Sequence, residues 1–278
     1  MSLIEKITNR HKNEEDFWRS ILTGIKPGVP LYPMRNFFSK LSGETRCKLC
    51  NIPFDGRSSW LFTRVWSKQS NMSPHFCLRC ENLAKRHEGG ADVEMTFLFV
   101  DVRGSTALGE KMTPKEFRTL LNRFYHVTTD HITKNGGWLD KFVGDEAIGV
   151  FLPGFAGKDH ALEGLKAAIE ILKETSNTKS GDAWIPIGIG INTGVAHMGV
   201  IGNGKANDIT PLGDEVNITA RLCSCANKGE IYISEPTMTS LLTNEKSELI
   251  NEIEITEDDI TVKGKSENLK VYIAKLKE

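Results

Sequence analysis

Two short acidic segments carry the residue types that hold a divalent cation against a polyphosphate. In the first, Phe99-Val100-Asp101-Val102-Arg103-Gly104-Ser105-Thr106, a carboxylate ends an apolar run and is followed at once by glycine, two hydroxyl side chains and a helix-compatible stretch. Backbone N–H groups at such a turn bind phosphate oxygens, and Mg²⁺ takes one or two protein carboxylates together with waters and phosphate oxygens. Gly104, Ser105 and Thr106 are therefore the candidate phosphate cradle. Asp101 is the candidate metal ligand with Val102 beside it; the alternative is that Asp101 caps the following turn. Arg103 is either a further positive charge for the phosphates or a solvent-exposed side chain. In the second segment, Lys141-Phe142-Val143-Gly144-Asp145-Glu146, another carboxylate, Asp145, sits in a tight hairpin. Two cations about 4 Å apart need two carboxylates converging from adjacent strands, although Gly-Asp-Glu alone is also ordinary turn chemistry.

A third segment runs from Asn207 to Arg221 with the sequence NDITPLGDEVNITAR. Asn217 and Arg221 are four apart on an expected helix and share one face, so an amide and a guanidinium can reach the same ligand. The alternative for Arg221 is a pairing with a nearby carboxylate on a solvated face. Four of the six cysteines form two pairs, Cys47-Lys48-Leu49-Cys50 and Cys77-Leu78-Arg79-Cys80. This is the spacing of a four-thiolate zinc ribbon, whose tetrahedral site is closed and structural. His75 and His87 are possible substitutes for one thiolate. Cys223 and Cys225 read as core or neutral thiols.

The elements that must position these residues follow from hydrophobic spacing. Leu3, Ile7, Phe17, Trp18, Ile21 and Leu22 among charges predict an amphipathic helix that stops at Gly24 and meets Pro27, Pro30 and Pro33, so residues 1–34 are a helix and a linker. Residues 35–90 hold the paired cysteines and few periodic segments, as in a small module held by a metal. From Met95 the pattern alternates. A strand is expected over Met95 to Val100, and a helix carries Phe117, Leu120, Leu121, Phe124 and Val127. Two strands, Trp138 to Phe142 and Glu146 to Phe151, precede a helix with Ala161, Leu165, Ala168, Ile169 and Leu172 on one stripe. Two more strands, Pro186 to Ile191 and Val195 to Val200, are expected to join across Asn192-Thr193-Gly194, with a third helix from Asp214. The order β-α-β-β-α-β predicts an α+β, ferredoxin-like domain with carboxyl-terminal additions.

With these segments in this order, the chain from about residue 94 to 275 resembles the catalytic domain of class III adenylyl and guanylyl cyclases, which is expected to occupy residues 91–278. The resemblance implies that Asp101 and Asp145 bind two Mg²⁺ or Mn²⁺ ions, that Asn217 orients the ribose, and that Arg221 stabilises charge on the transferring α-phosphate. It assigns base selection to Lys141 and Thr210. A Lys–Thr pair donates to adenine N1 and accepts from its 6-amino group, which favours ATP over GTP. Val262-Lys263-Gly264-Lys265 resembles the family's VKGK segment, implying that Lys263 touches the terminal phosphates; the family continues with Gly where this chain has Ser266. The family's sites are shared between protomers, so a homodimer is implied. The expected activity is ATP to 3′,5′-cyclic AMP and pyrophosphate, in signal transduction. Alternatives are a pyrimidine (UTP or CTP) or guanylate cyclase, or a non-catalytic cyclase-like scaffold whose zinc module binds a partner.

Composition narrows the partners. The 278 residues carry 35 Lys+Arg against 36 Asp+Glu, a net charge of -1, so nothing global argues for nucleic acid or a membrane surface. The amino terminus has no signal-peptide pattern and no apolar run is long enough to span a bilayer, so a soluble, cytoplasmic protein is expected. Residues 46–88 are locally basic, with eight Lys/Arg against three Asp/Glu. That permits contact with an anion or nucleic acid; the alternative is a stapled cap that supports the dimer.

Overall fold

The computed structural model describes residues 3–24, 31–43, 45–57, 59–70, 75–176, 183–202, 207–243, 247–261 and 268–277. In chain order the elements are α1 (Leu3–Thr23), α2 (Leu31–Ser39), α3 (Ser59–Val65), α4 (Leu78–Arg86), β1 (Gly90–Val102), α5 (Ser105–Lys111), α6 (Pro114–Lys134), β2 (Trp138–Val143), β3 (Glu146–Phe151), α7 (Pro153–Ala156), α8 (His160–Ser176), β4 (Ile187–Gly202), β5 (Asn207–Leu212), α9 (Asp214–Cys225), β6 (Ile231–Ser234), α10 (Glu235–Thr243), β7 (Ile253–Thr261) and β8 (Asn268–Leu276). The chain divides into two compact units. The first comprises Met1–Glu94, Leu152–Lys158 and Val195–Gly213; the second comprises Met95–Phe151, Asp159–Gly194 and Asp214–Glu278.

The sheet runs β2-β3-β1-β4-β6-β8-β7, with β5 paired to β4. Its first four members are the ferredoxin-like arrangement expected from the sequence, and β6, β8 and β7 are the carboxyl-terminal additions. In the second unit β1 is a central strand, buried at every position from Met95 to Val100, which is why it reads as a continuous apolar run rather than an alternation. The stripe on α8 is buried as expected, with Ala161, Leu165, Ala168, Ile169 and Leu172 all shielded from solvent. Helix α6 starts at Pro114 behind a capping box in which Thr113 and Glu116 satisfy each other's backbone N–H groups.

One expected feature is overturned. The two strands predicted on either side of Asn192-Thr193-Gly194 are a single strand, β4, with no turn between them. Asn192 does not turn the chain. Its Nδ2 donates to the Glu215 backbone oxygen at 3.2 Å and to Oε2 of the Glu215 side chain at 2.6 Å. Gly194 leaves room for that carboxylate, since a Cβ there would lie 2.7 Å from Glu215 Oε2. Thr193 joins a chain of buried hydroxyls with Thr96 at 2.8 Å and Thr237 at 3.0 Å. Residues typical of a turn are used here to seat α9.

In the first unit, α1 buries Trp18, Ile21 and Leu22, and Trp18 Nε1 donates to the His87 carbonyl at 2.9 Å. Gly154 lets α7 approach the carbonyls of Ile21 and Leu22, where a Cβ would collide. Helix α2 begins at Leu31, inside the stretch read as linker, with Pro33 in its first turn, where a missing N–H costs nothing. Among the described residues no helix is long and apolar enough to cross a membrane.

Candidate active site

Strands β1 and β3 pair antiparallel with Asp101 opposite Glu146. The β2–β3 hairpin turns through Gly144 and Asp145, with Gly144 at φ 62° as a two-residue primed turn requires of its first residue. The Val102 N–H donates to the Asp145 carbonyl at 3.3 Å. Asp101 and Asp145 are thus brought to the same end of two neighbouring strands. Tyr125 of α6 braces the turn: its hydroxyl donates to the Gly144 carbonyl, and its ring stacks on Phe142 with centroids 4.1 Å apart.

Beyond Asp101 the chain turns at Gly104, which is left-handed at φ 66°, ψ 29°, and Ser105 and Thr106 open α5. Both line a groove of about 330 Å³ with Gly109, Phe117, Leu121, Tyr125, Gly144 and Asp145. The expected phosphate cradle and the second carboxylate therefore face one cavity.

Three carboxylates share this strand end. Burial lifts the pKa of Asp101 above its ordinary value, and the neighbouring Asp145 adds to the lift, outweighing the opposing Arg103 guanidinium. Burial and the charge of Asp101 push Glu146 up to about 7. Such a crowd of acids is electrostatically short of positive charge, so the donor set fits hard divalent cations with oxygen ligands. Glu146 was not singled out from the sequence; only the strand register reveals it as the partner of Asp101.

Arg103 is neither turned to the cradle nor solvent-exposed. Its Nη2 pairs with Asp101 Oδ2, and its Nη1 donates to the carbonyls of Ser224 at 3.3 Å and Ala226 at 3.4 Å, at the end of α9.

Helix α9 lies tightly on β4. A Cβ at Gly190 would strike the Cys223 backbone nitrogen, and the Thr219 carbonyl would be at 2.8 Å. Buried Cys223 donates to the Gly188 carbonyl at 3.5 Å, while Cys225 is exposed. The opposite face of α9 carries Asn217 and Arg221, both exposed, with no side-chain hydrogen bond or ion pair among the described residues. On β2, Lys141 Nζ lies 3.3 Å from the buried Asp140 carboxylate. Thr210 is buried on β5, opposite Gly199 of β4. Lys263 lies outside the described residues.

In the first unit the sulfurs of Cys47, Cys50, Cys77 and Cys80 converge, all within 4.8 Å of one another and all buried. A tetrahedral site with metal–sulfur bonds of about 2.3 Å places its sulfurs about 3.8 Å apart, and Cys50 Sγ and Cys77 Sγ are separated by 3.8 Å. The first pair is shaped by Asn51, left-handed at φ 63°, whose N–H returns to the Cys47 carbonyl at 2.8 Å. The Cys77 N–H points to Cys47 Sγ at 3.3 Å. Arg35 is buried beside the cluster, held by the carbonyls of Lys48 and Leu49 at 2.6 and 3.0 Å. Burial lowers its pKa to about 10, which leaves it cationic at neutral pH and favours thiolates nearby. The residues fit a structural zinc ion.

A ferredoxin-like sheet with a carboxylate pair at one strand end, a hydroxyl-lined turn beside it and an Asn/Arg helix defines a nucleotidyl cyclase domain. Residues 90–275 match the family described as the adenylate and guanylate cyclase catalytic domain, and the chain belongs to it. It is 33% identical over 184 residues to the terminal-differentiation specific adenylate cyclase of Dictyostelium discoideum, covering 64% of this chain and 8% of that protein. It is 30% identical over 189 residues to an adenylate cyclase of Anabaena cylindrica, covering 65% of this chain and 36% of that protein. The chain thus spans well under half the length of either relative. Among solved structures it resembles the guanylyl cyclase Cya2 (TM-score 0.59, 28% identity, 68% of this chain and 96% of that one). It also resembles the adenylyl cyclase CyaB from P. aeruginosa (TM-score 0.58, 28% identity, 68% and 97%).

Proposed function

We propose that residues 91–278 convert ATP to 3′,5′-cyclic AMP and pyrophosphate, and that the chain acts as a homodimer whose sites are shared between protomers. The observation that carries the reading is the β1–β3 register, which sets Asp101 and Asp145 at one strand end beside the Ser105–Thr106 turn. Divalent cations held by Asp101, Asp145 and the Val102 carbonyl would lower the pKa of the ribose 3′-OH and neutralise the leaving pyrophosphate. The reaction is an in-line attack of that hydroxyl on the α-phosphorus, so the protein's task is positioning and charge stabilisation. Gly104, Ser105 and Thr106 receive the polyphosphate. Arg221 meets charge building on the α-phosphate, and Asn217 orients the ribose. Lys141 donates to adenine N1 and Thr210 accepts from the 6-amino group; Lys263 reaches the terminal phosphates.

The shared site is supported by the exposure of Asn217 and Arg221, whose side chains make no hydrogen bond or ion pair with the described residues of their own chain. The four cysteines hold a structural zinc in a module spanning residues 35–90, next to an amino-terminal helix and linker.

The test is purified protein with Mg²⁺ or Mn²⁺ and each of ATP, GTP, CTP and UTP, products resolved by chromatography. Cyclic AMP alone is expected. Cyclic GMP or a cyclic pyrimidine nucleotide would overturn the base assignment, and no product with any nucleotide would favour a scaffold.

A further inference from the structure

The net charge of -1 conceals a local surface of different character. Of the large apolar side chains exposed among the described residues, six cluster in the cysteine-bearing part of the chain: Phe37, Trp60, Leu61, Val65, Trp66 and Leu78. Trp60 is 66% exposed and Val65 73%, although each is a residue type that soluble surfaces rarely present together. Ring contacts link two of them, Phe37 and Trp66, through Phe38 and Phe62, and Trp60, Leu61 and Val65 lie on α3 with Phe62. Phe37 packs edge-on against Phe62 at 5.9 Å, Phe38 touches both Phe62 and Trp66, and the Arg79 guanidinium lies 4.6 Å over the Trp66 ring. Helix α3 shows no buried residue at all. Its short exposed face sets one basic side chain among apolar ones: Trp60 and Arg64 are one turn apart, as are Leu61 and Val65.

The segment that carries α3 bears charge of one sign. From Arg57 to Cys80 the chain carries Arg57, Arg64, Lys68 and Arg79 and not one Asp or Glu, and all four cations are exposed. A rim of this kind repels a second copy of itself, which argues against the patch as a self-association surface. Nucleic acid would match the charge and could stack on tryptophan, but it has no counterpart for Leu61, Val65 and Leu78. An anionic lipid surface matches all three features. Tryptophan settles at the headgroup boundary, aliphatic side chains enter the acyl region, and Arg and Lys reach back to phosphates.

We propose that the exposed face of α3, with Phe37, Trp66 and Leu78, docks the protein peripherally on an anionic phospholipid membrane. No helix is required to cross the bilayer, and the docking is independent of the cyclase reading.

The full chain with its metal is sedimented with vesicles of phosphatidylcholine, with and without phosphatidylglycerol. Binding only to the anionic vesicles is expected, weakening as salt is raised, with a blue shift of tryptophan emission. Arg64→Gln with Lys68→Gln removes two surface cations and should weaken binding about thirtyfold. Trp60→Ser with Leu61→Ser should abolish both binding and the blue shift. Because these side chains are exposed, metal content and melting temperature should be unchanged in both variants, which separates lost docking from lost folding. Absence of vesicle binding, or binding that neither variant weakens, would overturn the proposal. So would patch-dependent oligonucleotide binding or dimerisation without vesicle binding.

Discussion

Replacing Gly190 with alanine tests whether the seating of α9 on β4 controls the candidate site. The added Cβ would meet the Cys223 nitrogen, the Thr219 carbonyl at 2.8 Å and Cys223 Cα at 2.9 Å. All three are backbone atoms of α9, so no side chain can turn aside. Restoring ordinary contact requires the helix to move off the strand by about 0.5 to 1 Å, and overpacking of this size costs about 1–3 kcal/mol. For a domain of this size, each kcal/mol lowers the melting temperature by about 2–4 °C, so a loss of about 2–12 °C is expected. The same shift carries Asn217 and Arg221 with it, and a misplacement near 1 Å lowers turnover about a hundredfold. Thermal denaturation and initial-rate measurements on one preparation check both figures. Gly109→Ala is the control for stability and not for turnover, because Gly109 lines the candidate groove: a Cβ there meets nothing within 4 Å, so removing glycine from α5 should stabilise by about 0.5–1 kcal/mol. If Gly190→Ala melts and turns over like the parent protein, the close seating of α9 does not position the site.

Three further outcomes follow from separate features. Mixing Asp101→Ala chains with Arg221→Ala chains, each inactive alone, should restore activity from the one intact site of each heterodimer; no recovery would exclude a shared site. A strong chelator, with Mg²⁺ or Mn²⁺ restored before assay, or Cys77→Ser, should remove the zinc proposed for the cysteine cluster and loosen it. Because Lys48 of the first cysteine pair lies 3.7 Å from Asp208, two residues before Thr210 on β5, the Michaelis constant for the nucleotide should rise as metal content falls. The third concerns acid stability. Burial pushes the Glu170 carboxyl up, but hydrogen bonds from Asn135 and His131 and the Lys134 charge outweigh it, so its pKa lies below the ordinary glutamate value. A lowered folded-state pKa gives stability that is present above the unfolded value, about 4.3, and is lost as pH falls through the folded value. Glu170→Gln should therefore destabilise the protein at neutral pH and flatten the acid limb of its stability curve below about pH 5, read by denaturant unfolding at stepped pH.

Much of the site was legible because its signals are local. Asp101 follows an apolar strand and precedes Gly-Ser-Thr; Asp145 sits in a two-residue turn; the cysteines come as CxxC pairs. Each depends on neighbours a few residues away, where side-chain alternation, helical spacing and turn preference act. The β-α-β-β-α-β order emerged from those periods, whereas the family was read from the resemblance of the segments around Asp101, Asp145, Asn217 and Arg221.

What had to wait for the tertiary structure involves partners far apart in sequence. Asn192 and Gly194 look like turn residues until Glu215 is seen to occupy the space beside them, and then they belong to one long strand. Arg103 is a plausible phosphate ligand until α9 supplies carbonyls that draw it toward Asp101. Glu146 enters the acidic site only through strand register, and Trp60, Leu61 and Val65 become a surface only because no described residue of their own chain covers them. Types and local spacing are written along the chain, whereas exposure, register and long-range charge pairing come into being only when distant segments pack. The acidic pair was therefore readable from the sequence, and its neighbours were not.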